Sequence, residues 1–271
     1  MAGTFAIHSR IVNMNRIRVI PIGSGSSGNA MYIEMSDKGF LVDMGVRYKY
    51  LKETLAANGV DLATIPSIFI THSHYDHIIG FKVTIKHIEG KVYASKRTRD
   101  MLASSRVQGL EYDQYYDIDG IRVLMFGTSH DCPGSAGFIF EYQGLKLGYA
   151  TDLGHLSEEI LTYLKSSDMV VIESNHNVEM LKSGPYPYDL KRRILSEHGH
   201  LSNDDCAIAC RRLYDSGTRN FILAHLSQEN NEESIALSTF RKAVPYDDVN
   251  VQALHVKGLE FMEYEIGGSH V

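Results

Sequence analysis

The sequence predicts an α/β fold in which two mixed β-sheets pack face to face and helices cover their outer faces, a four-layer αβ/βα sandwich. Short β-branched segments occur in two runs, helical segments follow each run, and no heptad or internal repeat interrupts this pattern. With 271 residues, of which 44% are hydrophobic, the chain can bury one large core. We therefore expect a single domain spanning residues 1–271, with frayed ends at 1–13 and 267–271.

The first run of strands lies in the N-terminal part of the chain, where β-branched residues alternate with turns rich in Gly, Ser, Asn and Asp. Three segments of this kind predict strands at residues 16–22, 30–35 and 39–44. The elements predicted after them are a helix at 48–58, strands at 67–71 and 91–94, and a basic helix at 96–105.

The second run opens with three apolar segments that predict strands at residues 121–126, 137–142 and 145–149. Helical and strand patterns then alternate, as is typical of parallel strands joined by helices. These later elements are helices at 157–166, 189–196, 203–215 and 232–242, strands at 169–173 and 221–223, and a closing pair of strands at 251–256 and 259–264.

Composition excludes several classes of protein. The chain has 27 Lys and Arg against 33 Asp and Glu, a net charge of −6, so any nucleic acid must be met by a local basic patch. No apolar run is long enough to span a membrane, and the N-terminus lacks the pattern of a signal peptide. Three cysteines do not form a disulfide framework. We expect a cytoplasmic protein that does not associate with membranes.

Residues 71–77 read T-H-S-H-Y-D-H and hold four potential metal ligands directly after a predicted apolar strand. Alternate residues of a strand share a face, so His72 and His74 project to the same side. A turn then returns Asp76 and His77 to the same space. Because burying three imidazoles and a carboxylate together is costly without a balancing charge, the motif favours a metal site over a solvated polar turn.

Three further strand ends finish on a metal-ligand residue, namely His130, Asp152 and His225. Strands that end at one rim would gather all these side chains, and five histidines with two aspartates suffice for two metals. Two ions about 3.5–4 Å apart can hold an attacking hydroxide and a phosphoryl oxygen. Imidazole suits Zn²⁺, and carboxylate and phosphate chemistry also suit Mn²⁺. We expect two divalent ions, Zn²⁺ or Mn²⁺, per chain.

Two segments are candidates for phosphate binding. Residues 23–29 read G-S-G-S-S-G-N, which is either a simple turn or a loop whose Ser26, Ser27 and Asn29 contact a phosphate. A basic run carries Lys191, Arg192 and Arg193, either as a solvated helix face or as a grip on a nucleic-acid backbone.

The ordered motif H-x-H-x-D-H, followed by a lone His, a lone Asp and a final His, resembles the metallo-β-lactamase fold. An Asp at position 152, rather than Cys, resembles the phosphodiesterase and thioesterase branches and differs from the β-lactamases themselves. The resemblance implies a first metal held by His72, His74 and His130, a second held by Asp76, His77 and His225, and a bridge formed by Asp152.

Segments such as E-S-N-H-N-V-E-M-L, Y-P-Y-D-L-K-R-R-I-L-S and G-H-L-S-N closely resemble the YycJ/WalJ (VicX) family, related more distantly to RNase Z-type phosphodiesterases. Tyr75 departs from the family pattern, in which a small polar residue is expected. The resemblance implies a 5′→3′ exonuclease that acts on double-stranded DNA and takes part in mismatch repair.

The resemblance to RNase Z also implies the catalytic residues. Glu173 ends the strand after the bridging Asp and orients His200, which protonates the leaving oxygen, while Asp76 acts beside the metals. The alternative for His200 is a helix-start residue beside the cap. His176 either contacts phosphate or is a packed polar group.

Other functions share the same ligand set and stay open at this stage. A thioesterase of the glyoxalase II kind or a small cyclic-nucleotide phosphodiesterase would use the same metals. A metal-stabilised regulatory partner in a signalling pathway would keep the ligands without the chemistry. The Glu173–His200 pair and the basic run favour a nuclease over these readings.

Overall fold

Two β-sheets, each of seven strands, form the centre of the part of the chain that the structure describes. The computed structural model describes residues 16–254 and, as backbone, 262–265. The first sheet has the order β14-β1-β2-β3-β4-β5-β6. Its strands are β1 (Arg16–Gly23), β2 (Ala30–Met35), β3 (Lys38–Val42), β4 (Ser67–Phe69), β5 (Lys91–Ser95), β6 (Val107–Leu110) and β14 (Met262–Glu265).

The second sheet has the order β13-β12-β11-β10-β9-β8-β7. Its strands are β7 (Tyr115–Ile118), β8 (Ile121–Gly127), β9 (Ala136–Tyr142), β10 (Leu145–Ala150), β11 (Met169–Glu173), β12 (Asn220–Ala224) and β13 (Asn250–Ala253). Each sheet is therefore built from one nearly continuous half of the chain, except that β14 returns to the first sheet.

Each sheet is antiparallel on one side and parallel on the other. In the first sheet, β1, β2 and β3 form a meander, and β3 to β6 run parallel. In the second sheet, β7 to β10 form a meander, and β10 to β13 run parallel. Parallel strands end together at their carboxyl ends, where the loops of α/β proteins form binding sites. Both sheets thus direct a set of strand ends to one rim.

The helices cover the outer faces of the sheets. Ser157, Asn177 and Ser202 each cap the helix that follows with a side-chain oxygen that accepts a backbone N–H. The helices are α1 (Tyr48–Ala57), α2 (Tyr75–Ile78), α3 (Phe81–Thr84), α4 (Lys96–Leu102), α5 (Glu158–Leu164), α6 (Val178–Ser183), α7 (Tyr188–Ile194), α8 (Asn203–Asp215) and α9 (Glu233–Ala243).

Three apolar clusters lie between these layers. The inner cluster joins the facing sides of the two sheets, where the rings of Phe40 and Phe140 are 4.3 Å apart between centroids. One outer cluster packs α1 and α3 on the first sheet, and the other packs α5, α8 and α9 on the second. The predicted arrangement of two mixed sheets flanked by helices is confirmed.

Several element boundaries differ from the prediction. The strands β6 and β7 were not predicted, because β6 contains Gly109 and β7 is a short edge strand that is largely exposed. The helix α2 begins at Tyr75 rather than near Ile78, so Asp76 and His77 lie on its first turn instead of on a loop. The expected frayed ends and residues 259–261 of the predicted strand at 259–264 lie outside the described residues, and residues 262–264 belong to β14.

The described residues contain no helix that combines the length and apolar character needed to cross a lipid bilayer.

Candidate metal centre

Seven side chains predicted as metal ligands meet at the rim where both sheets end. β4 leads to His72 and His74, and α2 then carries Asp76 and His77. The second sheet contributes one residue after each of three strands, with His130 after β8, Asp152 after β10 and His225 after β12. The ligand atoms form overlapping groups within 4.8 Å of one another, and these groups are His72, His74 and His130; Asp76, His77 and His225; and His72, His77 and Asp152.

The first group contains three histidines. The Nε2 atom of His130 lies 3.1 Å from the Nδ1 atom of His74. The Nδ1 atom of His130 is 3.1 Å from the carbonyl oxygen of Gly199, which accepts its proton and leaves Nε2 with a free lone pair. The Nε2 atom of His72 is buried and has no hydrogen-bond partner in the described structure. One ring nitrogen of each of the three histidines therefore lies within 4.8 Å of the others.

The second group contains Asp76, His77 and His225. The Oδ2 atom of Asp76 is 3.6 Å from His77 Nε2 and 3.8 Å from His225 Nε2. The Nδ1 atom of His77 hydrogen-bonds at 2.8 Å to Asp43, so Nε2 is the nitrogen that faces the group.

Asp152 lies between the two groups. Its Oδ1 atom is 3.7 Å from His130 Nε2 and 3.6 Å from His225 Nε2, and its Oδ2 atom is 3.4 Å from His77 Nε2. One carboxylate therefore faces ligands from both groups, which is the position that a bridging ligand requires.

Three of the strand ends place a non-glycine residue in the left-handed region of the backbone. The φ angles are 61° at Asp43, 59° at Asp152 and 58° at His225. Such residues cost on the order of 1–3 kcal/mol each and occur mostly where surrounding structure holds them for function. The conformation turns each strand sharply at its end and directs the side chain towards the rim.

The donor set fits a divalent metal. Two ligands at about 2.0–2.1 Å from a tetrahedral ion lie roughly 3.3 Å apart, and the separations above range from 3.1 to 3.8 Å. Three buried ligand atoms, His72 Nε2, Asp152 Oδ2 and His225 Nε2, have no hydrogen-bond partner in the described structure. Unpaired buried polar atoms are costly, and a cation at this position would satisfy all three.

The pKa shifts of the ligands also indicate a site for a positively charged ion. Burial, with the neighbouring histidines, holds the pKa of His72 well below its usual value, so the ring stays neutral and able to coordinate. Burial lowers the pKa of His77 as well, but the carboxylates of Asp152 and Asp43 outweigh it and raise that pKa to about 9. This excess of buried negative charge is what a bound divalent cation would neutralise.

Asp43 is a functional residue that the sequence analysis missed. Its buried carboxylate accepts hydrogen bonds from the backbone N–H and the hydroxyl of Thr71, each at 2.8 Å, and from His77 Nδ1. A carboxylate behind a coordinating histidine fixes the ring and its tautomer. The signal was present, because Asp43 follows the apolar strand β3 just as Asp152 follows β10.

Glu173 connects two histidines. Its Oε1 atom accepts hydrogen bonds from His200 Nδ1 and from His225 Nδ1, both at 2.8 Å. Its Oε2 atom accepts the backbone N–H of Leu153 at 2.7 Å and of Leu201 at 3.1 Å. Burial alone would raise the pKa of Glu173, but the two histidines hold it below its usual range, so the group is a carboxylate. The sequence predicted its contact with His200 but not with His225.

A cavity of about 430 Å³ opens over the ligands. His200 lies in its wall, with Nδ1 bonded to Glu173 and Nε2 left for a bound molecule. Among the predicted phosphate-binding residues, Ser26 and Arg193 line this cavity. Arg193 also pairs with Asp131, which is 3.6 Å from both His74 and His130 and which the sequence analysis also missed.

Five predicted phosphate-binding residues do not line this cavity. Ser27 lies in a neighbouring groove. Asn29 is buried and donates from Nδ2 to Asp76 Oδ2 at 3.1 Å, so it contacts a ligand instead. The Lys191 ammonium donates to the carbonyl oxygens of residues 182 and 184, and the Arg192 guanidinium lies 5.8 Å from the ring centre of Tyr188.

His176 is the fifth of these residues. It is 1% exposed, and neither ring nitrogen has a hydrogen-bond partner in the part of the chain described. Burial lowers its pKa to about 4, so the ring is neutral at physiological pH. The structure thus places His176 as a packed side chain, the second of the two predicted alternatives.

The fold and these ligands together define a metal-dependent hydrolase of the metallo-β-lactamase class. The model of the β-lactamase superfamily domain matches residues 40–226. The chain is 34% identical over 223 residues to the exodeoxyribonuclease YycJ of Bacillus anthracis, covering 79% of this chain and 84% of that protein. It is also 34% identical over 253 residues to the exodeoxyribonuclease WalJ of Streptococcus pneumoniae, covering 90% and 92%. The chain belongs to the YycJ/WalJ family of the metallo-β-lactamase superfamily.

Solved structures share the fold at low sequence identity. The metallo-β-lactamase fold protein YhfI of Bacillus subtilis has a TM-score of 0.68 and 14% identity, covering 92% of this chain and all of that one. The short form of human tRNase Z has a TM-score of 0.62 and 17% identity, covering 92% and 99%. These likenesses support the fold alone.

Proposed function

We propose that this chain is a 5′→3′ exonuclease that hydrolyses phosphodiester bonds of DNA with two divalent ions, Zn²⁺ or Mn²⁺. The observation that carries this proposal is the Glu173–His200 pair, in which His200 lies in the wall of the cavity beside the ligand cluster and the buried Glu173 holds it from behind. Relatives that are 34% identical over most of their length are named exodeoxyribonucleases, which supports DNA as the substrate.

Two ions would divide the ligands between them. When bound, they would supply an activated water and would stabilise negative charge on the phosphoryl oxygens. Asp76 would serve as a ligand and as a hydrogen-bond acceptor at the open side of the cluster, where its side chain is 25% exposed. In this assignment His72, His74 and His130 hold the first ion, Asp76, His77 and His225 hold the second, and Asp152 is shared.

His200 would act as the general acid. A carboxylate can only accept hydrogen bonds, so the Glu173 contact fixes one proton on Nδ1 of His200 and holds the plane of the ring. The protonated ring then offers its Nε2 proton to the sugar oxygen that leaves when the P–O bond breaks. Arg193 and Ser26, both in the cavity wall, would contact the phosphate.

The test compares three substrates with protein that has been purified without chelators and analysed for metal content. We expect digestion of 5′-end-labelled DNA from the labelled end and slower hydrolysis of bis-p-nitrophenyl phosphate. We also expect no hydrolysis of a thioester such as lactoylglutathione. A protein that cleaves the thioester and leaves DNA intact would instead be a thioesterase.

In the cell, the proposed role is mismatch repair in the cytoplasm. One domain carries all of the chemistry. This part of the proposal rests on the resemblance to the YycJ/WalJ family and on the absence of any disulfide among the three cysteines, which are all free and buried. A strain that lacks the gene should show a raised spontaneous mutation rate. The gene that carries Asp152→Ala should fail to return this rate to the normal value.

A further inference from the structure

A second groove adjoins the active-site cavity on the other side of one residue, Tyr75. This groove has a volume of about 470 Å³, and Tyr75 lines both spaces. We call it the Tyr75 groove. Six of the residues that line it are Ser27, Val46, Arg47, Tyr50, Tyr75 and Ile79.

Three side chains of this groove have no partner among the described residues and are free to contact a ligand. Tyr75 is 76% exposed and Tyr50 is 54% exposed, although large aromatic rings usually gain stability by burial. Neither ring makes a hydrogen bond or ring contact with any described residue, and the exposed Arg47 side chain has no ion pair among them. Two aromatic faces and an unpaired guanidinium thus line the same groove as the apolar side chains of Val46 and Ile79.

The groove is rigidly attached to the metal centre. The backbone N–H of Asn29 donates to the carbonyl oxygen of Asp76, and that of Gly45 donates to the carbonyl oxygen of Asn29, each at 2.7 Å. A Cβ on Gly45 would lie 1.7 Å from the Asp76 carbonyl oxygen, and one on Gly28 would lie 2.3 Å from the Gly45 carbonyl oxygen. Only glycine permits this close packing. It holds Ser27 at a fixed position relative to the ligand Asp76.

We propose that the Tyr75 groove binds a segment of single-stranded DNA that continues from the phosphate held at the metal centre. Tyr75 and Tyr50 stack on bases, and Arg47 and Ser27 contact the backbone phosphates. This assignment rests on the proposed nuclease function and names the form of DNA that the site accepts. It follows from the continuity of the two spaces through Tyr75 and from the pairing of exposed rings with a cation, which is how proteins bind single strands.

The lining of the groove also indicates that the base sequence of the DNA is not recognised. An aromatic face accepts any base, and the side chains of Val46 and Ile79 offer no hydrogen bond to a base edge, so binding is tolerant of sequence. A duplex end must therefore open by separation of its strands before one of them enters. Single-stranded and frayed ends are bound more tightly than blunt ends.

The chain contains no tryptophan, so a single introduced one reports on its own surroundings. In Tyr75→Trp we expect an oligodeoxythymidylate to quench the indole emission as a base stacks on it, with chelator present to prevent digestion. The matched control is Tyr115→Trp, at an exposed tyrosine on the edge strand β7 that lines neither space. Its emission should not respond.

Kinetics test the same contact without a probe. One stacked base contributes on the order of 1–3 kcal/mol, so Tyr75→Ala should raise KM for a single-stranded oligonucleotide roughly 5- to 150-fold, with kcat changed much less. Tyr75→Phe keeps the ring and should retain the wild-type KM. Tyr115→Ala serves as the control for a lost surface tyrosine.

Two results separate this proposal from the proposed function. If the wild-type protein digests DNA but Tyr75→Ala leaves KM unchanged and Tyr75→Trp emission does not respond, the groove proposal is overturned and the nuclease stands. If Tyr75→Trp emission is quenched but the metal-loaded wild-type protein degrades no DNA, the groove stands and the nuclease is overturned.

Discussion

At the scale of single residues, the proton on His200 decides whether a poor leaving group can depart. The sugar oxygen of DNA must be protonated as the bond breaks, whereas p-nitrophenolate leaves as a stable anion. General acids contribute about 10²–10⁴-fold. We expect His200→Ala to lose activity of this order on DNA, to keep most activity on bis-p-nitrophenyl phosphate and to retain its metal.

Measured rates on the two substrates, together with metal analysis, check this prediction. Equal losses on both would mean that His200 binds phosphate or metal. An unchanged rate on DNA would leave His200 with the role of a residue near the start of α8, whose cap is Ser202.

Glu173 carries a second prediction, because one of its oxygens accepts hydrogen bonds from both His200 and His225. In Glu173→Gln one of the two oxygens becomes an NH2 group that donates instead of accepting, so either the two histidines or the backbone N–H groups of Leu153 and Leu201 lose their acceptor. Loss of a residue that orients a metal ligand typically costs 10–100-fold in affinity or activity. We therefore expect Glu173→Gln to lose activity on DNA and also to bind the metal at the His225 site 10- to 100-fold more weakly.

Titration of metal into the chelator-treated variant measures this affinity. The matched comparison is His200→Ala, which removes the acid and leaves the Glu173–His225 contact in place. If Glu173→Gln bound metal as tightly as wild type, the contact with His225 would have no part in holding the centre.

At the scale of elements, α7 shows that a basic run can contain residues with different tasks. Arg193 lines the active-site cavity, whereas the Lys191 ammonium is bonded to two backbone carbonyls at 2.7 and 2.8 Å. Each phosphate contact adds about 0.9 to the slope of log K against log salt on duplex DNA. We expect Arg193→Ala to reduce this slope by about 0.9 and Lys191→Ala to leave it unchanged.

Binding measured over a series of salt concentrations gives both slopes, and the two variants remove the same charge from one helix. Equal reductions would mean that α7 acts only through its net charge. In that case the cavity position of Arg193 would have no importance for DNA.

The sequence predicted the elements correctly where a strand is buried. The prediction failed where tertiary contacts determine whether a segment forms a strand. The apolar strands that end at Asp152, Glu173 and His225 were visible as runs of β-branched residues, and their polar ends marked the site. Nothing local marks the edge strand β7, whose pairing with β8 comes from the sheet. The tasks of Lys191 and Asn29 were likewise hidden, because a charge or an amide in a sequence does not reveal which backbone it contacts.

At the scale of the whole molecule, the metal centre joins the two halves of the chain. The first sheet and its helices supply His72, His74, Asp76 and His77, and the second half supplies His130, Asp152 and His225. Because unpaired buried ligand atoms from both halves are costly without a cation, the halves meet at a point that metal would stabilise. The chemistry and the closure of the sandwich therefore depend on the same contacts.

The stability of the whole molecule should depend on pH through His176. Its pKa is about 4 in the fold, because the ring is buried without a partner, and about 6.5 when unfolded. Between these values the unfolded chain binds a proton that the folded chain does not, so the free energy of unfolding falls as the pH falls from 6.5 towards 4. At 1.36 kcal/mol per pKa unit, the loss at pH 5 is about 2 kcal/mol.

Urea unfolding of metal-free protein at pH 7.5 and pH 5.0 measures this loss of stability. The non-titrating variant His176→Gln is the reference, and the variant His198→Gln at an exposed histidine is the control. The wild-type and His198→Gln proteins should both lose about 2 kcal/mol more than His176→Gln. Equal losses in all three proteins would show that His176 is protonated in the fold or reaches solvent.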